Sequence, residues 1–352
     1  MTTDSEQTIR VTSPADLISV VPYVLGFHPS LSLVVTMIDG EKSTLGGVMR
    51  FNLPKDSADA VRLADHLTSV LVRNAVSRVV LLGYGPGARI SPVIDAATEA
   101  LNRTGIDIRD ALRIDEGRFW SYTCTNVTCC PPDGVPVDAS SGVPAATAVL
   151  AGFVALPDRT ALAATLDPPD GPDREQVEVA TQAACAHTRT LIDTDHDWYR
   201  DGVGQISAAL DRVQAGENLD ADEIATLGVR LTGIPVRDAA MTFFGRHDDD
   251  VHIRCWTEVT RRVPSEFAAA PASLLAFVAL RIGDGALARI AVERALSIDP
   301  DYSFANLIRT ALDYGLPPSA AADMNFAEMA EAIEASARRR PEGARPMLPE
   351  GW

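Results

Sequence analysis

Two hydrophobic rhythms run through the first part of this chain, and only one continues into the second. Leu17, Val20, Val21 and Val24 recur at helical spacing behind Ser13-Pro14-Ala15-Asp16. There Ser13 reads as an N-cap, Pro14 as the first helical residue and Asp16 as the partner that closes a capping box. Pro22 lacks an N–H and predicts a kink or a split, and Gly26 offers a left-handed stop. Period-two patterning follows: a strand over Leu31–Ile38, then Leu45, Gly47, Met49, Phe51 and Leu53 on a second. Val61, Ala64, Leu67, Leu71 and Ala75 return to helical spacing, and Val79-Val80-Leu81-Leu82 is an apolar run suited to a strand buried on both faces. A helix is predicted from Pro92 to Thr104, with strands over Ile106–Ile114 and Arg118–Thr123 around an Asp115-Glu116-Gly117 turn. The order implies an α/β domain over residues 1–140, a mixed sheet with helices packed on it.

Residues 141–173 read as a linker with short elements, ending in the Pro/Gly-rich stretch Asp167–Asp173. From there only helical periods remain, through residue 337. Val203, Ile206, Leu210 and Val213 share a face, and Asp220 and Glu223 begin a helix carrying Ile224, Leu227 and Leu231. Ile253, Trp256, Val259 and Val263 mark another helix. Pro271–Ile282 is apolar nearly all round and predicts a central helix. The charged, Pro-rich residues 338–352 read as a flexible tail.

Charge sharpens this division. The chain of 352 residues carries net charge −17, with 46% hydrophobic and 22% charged residues. Residues 1–140 hold 12 basic and 16 acidic side chains, and the remainder holds 19 and 32, so the helical part is an acidic body. It repels phosphate backbones, which argues against nucleic acid as a partner and for another protein or a basic peptide. Only Lys42 and Lys55 are lysines, and Lys42 lacks the glycine pattern of a P-loop. The polar N-terminus has no signal-peptide pattern, and no apolar run is long enough for a membrane span. The expectation is a cytoplasmic chain with reduced cysteines.

Candidate chemistry concentrates at Arg118–Gly134, which holds Cys124, Cys129 and Cys130. C-x₄-C lies at the edge of zinc-site spacing and has no second pair, so the expectation is small, packed apolar thiols with no metal or other cofactor. Cys185 and His187 are the other ligand candidates. For a thiolate nucleophile, His28 in a loop is the best available base. Gly83-Tyr84-Gly85-Pro86-Gly87 after a strand has the look of a dinucleotide loop, but the helix is expected several residues late for a phosphate, and a plain glycine turn explains it as well. Trp120 and Tyr122 share one strand face and are read as core or ligand contacts. Asp193–Asp197 and His247–His252 look metal-like by composition, yet read better as solvated helix ends.

Gly283 to Pro300, GDGALARIAVERALSIDP, resembles the second half of a tetratricopeptide repeat. Gly283-Asp284 would take the inter-helix turn, Ala276 and Ala288 would be small residues that let the two helices approach, and Ala295-Leu296 precedes Asp299-Pro300 as that repeat's ending does. The stretches LISVVPYVLGFHPSLSLVV, RFWSYTC, CCPPDG and the block from Pro271 to Pro300 together resemble the actinobacterial domain of unknown function 4192 family. That resemblance implies a GC-rich source and supplies neither an activity nor catalytic residues. The residues themselves point to a non-enzymatic protein-interaction module acting through its acidic helical part. The alternative is a small-molecule enzyme or sensor, with its site between His28, the Gly83–Gly87 loop and Cys124–Cys130.

Overall fold

A computed structural model describes residues 11–39, 44–138 and 142–352. The chain divides into two compact units, Met1–Leu162 and Ala163–Trp352.

The first unit is built on a six-stranded mixed sheet. Helix α1 (Pro14–Leu25) leads into β1 (Ser32–Asp39) and β2 (Thr44–Asn52). There follow α2 (Ser57–Arg73), β3 (Arg78–Tyr84), α3 (Gly87–Thr104), β4 (Asp107–Asp115), β5 (Arg118–Ser121) and β6 (Val135–Pro136). The spatial order is β2-β1-β3-β4-β5-β6, with β3 and β4 parallel and the other neighbours antiparallel. The parallel pair requires a crossover, which α3 supplies. Alternation sets the faces: Leu33, Val35, Val79 and Leu81 join Leu67 and Leu71 of α2 and Ile90 and Ile94 of α3 in one core. Val34, Val80, Leu82 and Leu112 on the other face are buried too, which explains why β3 reads as a continuous apolar run. Helices α4 (Val143–Leu150) and α5 (Arg159–Ala164) complete this part of the chain, and α4 packs against α1.

Two local expectations change. The Ser13–Asp16 capping box and the left-handed Gly26 stop are present, but α1 runs through Pro22 as one helix. Helix α3 begins at Gly87, directly after Pro86, and Pro92 lies inside it. The expected start was Pro92, whereas the N-cap is Pro86, extended at φ −66 and ψ 144.

The second unit is all helix: α6 (Pro172–Leu191), α7 (Trp198–Gln214), α8 (Ala221–Arg230), α9 (Ile234–Ala240), α10 (Asp249–Arg262) and α11 (Ala269–Ile282), then α12 (Gly285–Ile298), α13 (Ser303–Asp313), α14 (Ser319–Ala322) and α15 (Phe326–Arg339). Every residue of α11 from Ala269 to Leu280 is buried, as expected of a central helix. Gly283 turns the chain at φ +84, Asp284 caps α12 by accepting from the Leu287 N–H, and Ala272, Ala295 and Ala305 bring α11, α12 and α13 into close contact. A helical-repeat packing therefore follows the mixed α/β part.

The last residues pack back instead of trailing free. Ala344 is buried, the Met347 N–H donates to Thr232 Oγ1 at 2.9 Å, and Trp352 meets the edge of Phe267 at 5.3 Å. Aromatic and backbone anchors outweigh the charged composition that suggested a loose tail.

Candidate functional site

Cys124, Cys129 and Cys130 come together in the long connection between β5 and β6. Asn126 organises it. Its carbonyl accepts the N–H groups of Cys129 at 3.1 Å and Cys130 at 2.7 Å, and its side-chain oxygen accepts the Thr128 N–H at 2.9 Å. At the start of the loop the Cys124 N–H donates to Ser121 Oγ at 3.0 Å. Ser121 and Thr123 both donate to Asp110 Oδ1 of β4, at 2.8 and 2.6 Å. At the far end Trp120 Nε1 donates to the Pro132 carbonyl at 2.9 Å, and Arg118 donates to the carbonyls of Asp133 and Gly134.

The three sulfurs lie within 4.8 Å of one another. All three are free thiols; Cys129 is exposed and the others half-buried. The exposure of Cys129 departs from the expectation of three packed apolar thiols. Val127, in the same loop, is 68% exposed. The Cys124 thiol is held below the ordinary thiol range, chiefly by the Asn126 backbone N–H and then by the Cys130 thiol. Cys130 is pushed up, first by burial and then by its hydrogen bonds to Cys124 and Cys129.

His28 lies elsewhere in this unit. Its N–H donates to the Leu156 carbonyl at 2.9 Å, and Leu156 donates back to Gly26. The side chain lines a cavity of about 320 Å³ with Pro22, Tyr84, Ile114, Val137 and Asp138. No cysteine lines it, so the structure does not join His28 to a thiol. Tyr84, between Gly83 and Gly85, lines the same cavity. It is 6% exposed, and its hydroxyl has no hydrogen-bond partner among the described residues. Burial pushes its ionisation well above the ordinary tyrosine value.

The glycine stretch serves packing. A side chain at Gly83 would meet Ile90 Cγ2 at 2.2 Å, so this glycine lets α3 lie against β3. Gly85 holds φ +137 at the strand exit, and the place beside Gly87 is taken by the Arg113 guanidinium, 3.4 Å from a modest side chain there. Arg113 in turn stacks on Trp120 with its guanidinium carbon 3.5 Å from the ring centre. Tyr122 is 40% exposed and its hydroxyl meets Ser91 Oγ at 2.7 Å. It lines a second cavity, of about 390 Å³, with Thr123, Asp95 and Asn102.

In the helical unit Cys185 is fully buried on α6 while His187 is exposed. Two positions apart on a helix they face different ways, so they do not form a ligand pair. His252 is no solvated helix end: it is 0% exposed in the first turn of α10, with the Phe244 ring at 4.3 Å. Burial is the leading cause that lowers its pKa to about 4. Of the expected face, Trp256, Val259 and Val263 are buried and Ile253 is half-buried; Val251, His252, Cys255 and Thr260 are buried with them.

No described helix is long and apolar enough to cross a membrane. The chain thus holds a mixed α/β unit followed in sequence by a helical-repeat unit. The chain belongs to the family described as domain of unknown function (DUF4192), whose model matches residues 14–319. No curated protein and no solved structure matches it.

Proposed function

We propose that this protein is a non-enzymatic, cytoplasmic interaction protein whose acidic helical unit binds a basic, amphipathic segment of another protein. The observation that carries the reading is the outer face of α13 and the turn after it. Leu307 is 65% exposed, Tyr314 55% and Leu316 48%, in the part of the chain with the strongest negative balance. The opposite face of the same helix buries Phe304, Ala305 and Ile308 in the repeat core, so the exposed face is held rigidly. An amphipathic segment would set apolar side chains on this face and cationic ones among the surrounding carboxylates.

The test is fluorescence anisotropy of a short amphipathic Arg/Leu peptide titrated with the full-length chain. Saturable binding that weakens with salt and falls about tenfold, roughly 1.4 kcal/mol, in Leu307→Asp is expected. Binding that ignores Leu307→Asp would remove the support for this face.

Tyr84 favours a second reading, a small-molecule site in the cavity it shares with His28. A buried hydroxyl without a partner costs stability unless a ligand or water supplies one.

A further inference from the structure

We propose that Cys124, Cys129 and Cys130 form a binding site for a thiophilic divalent cation of the zinc type, held by three thiolates with its fourth position open. The convergence of the sulfurs is the first argument. Three thiols from a loop of irregular backbone lie within 4.8 Å of one another, and no disulfide joins them. Four-coordinate zinc with bonds of about 2.3 Å places its sulfurs about 3.8 Å apart. The cluster therefore needs a contraction of at most about 1 Å, within reach of side-chain rotation on a fixed loop.

The scaffold is the second argument. The backbone of the loop is anchored by groups other than the sulfurs. Asn126 holds the backbone of Cys129 and Cys130, Asp110 holds Ser121 and through it Cys124, and Trp120 holds Pro132. Pro131 and Pro132 each fix a φ angle immediately after Cys130. The backbone that carries the sulfurs is thus held by bonds that metal binding leaves intact, the arrangement that keeps ligands oriented in metal sites.

Packing fails as an explanation, which is the third argument. Cys129 is exposed and Val127, between Cys124 and Cys129 in the loop, faces water. The donor set selects the ion: thiolates favour zinc, cadmium or cuprous copper over magnesium and calcium. Among the described residues no His, Asp or Glu joins the three cysteines, so a water or an external ligand completes the sphere. Binding releases the thiol protons and weakens as pH falls.

The test titrates the reduced full-length chain, freed of metal, with cobalt(II) and then zinc. One equivalent of cobalt with thiolate charge-transfer absorption, displaced by zinc, is expected. Each of Cys124→Ser, Cys129→Ser and Cys130→Ser should weaken binding on the order of a hundredfold or more, whereas Cys255→Ser should leave it unchanged. Zinc should also shield three thiols of the unmodified chain from alkylation, a readout independent of how the variants fold. Absence of stoichiometric binding with all five thiols reduced would overturn the proposal. So would a cysteine-to-cysteine disulfide in the trio that forms in place of metal binding, or uptake of cuprous copper with zinc excluded.

Discussion

A side chain at Gly134 would sit 2.5 Å from Cε2 of Trp120, so the indole and the glycine backbone occupy adjoining space with no room between. Arg113 covers the ring at 3.5 Å from its centre, and the ring nitrogen holds the Pro132 carbonyl. Trp120 is the peg on which the end of the cysteine loop hangs.

Gly134→Ala should therefore destabilise the α/β unit by about 2–3 kcal/mol. Gly134 stands at φ +78, where a Cβ is strained, and the added methyl meets a ring that cannot give way. Chemical denaturation followed by tryptophan fluorescence measures it; a midpoint equal to the parent's would show that the loop end is free to move.

Gly83→Ala should cost a comparable ~2 kcal/mol or more through the contact with Ile90. Pairing it with Ile90→Ala should recover part of that loss, because the two sites share one space. Additive losses in the double variant would argue that Gly83 is retained for some reason other than α3 packing.

Stability should fall between pH 6.5 and about pH 4 through His252. In that window the unfolded chain binds a proton at this ring and the folded chain does not, so stability rises with pH and is lost as pH falls. The full span is worth about 3 kcal/mol. Phe244 and the His247 ring crowd the site, and Asp249 and Arg281 act on its charge with opposite sign. His252→Leu should flatten this part of the pH profile, measured by urea midpoints across the range. An unchanged slope in the variant would assign the effect to other groups.

Gly283→Ala should lower the melting temperature of the helical unit. Its φ of +84 strains any side chain, and the methyl would come 3.3 Å from Pro318. The loss should exceed the ~1 kcal/mol typical of an ordinary glycine-to-alanine change, and calorimetry of the full chain reads it.

Limited proteolysis should cut first near residues 165–171, the connection between α5 and α6, which follows the boundary at Leu162 and is mostly exposed. First cuts within α7 or α11 would contradict a separable pair of units.

Local signals in the sequence determined much of this architecture. Ser13 with Asp16 and Asp220 with Glu223 close capping boxes from their own side chains, so three residues of spacing suffice to place a helix start. The apolar run at β3 and the all-round apolarity of α11 report burial directly, because an exposed surface there would be too costly. Gly283 is legible for the same kind of reason: only a residue without Cβ suits that turn. The rest needed tertiary structure. Nothing in C-x₄-C-C says that the three sulfurs converge, since that depends on Asp110 from another strand and on how Asn126 folds the backbone. Tyr84 and His28 lie far apart in sequence and meet in one cavity only once α1 and the sheet are assembled. His252 looks like a polar helix end by composition. It is buried because α10 turns that face onto Phe244, and the energy of burying Trp256 and Val259 on the same helix carries the imidazole in with them.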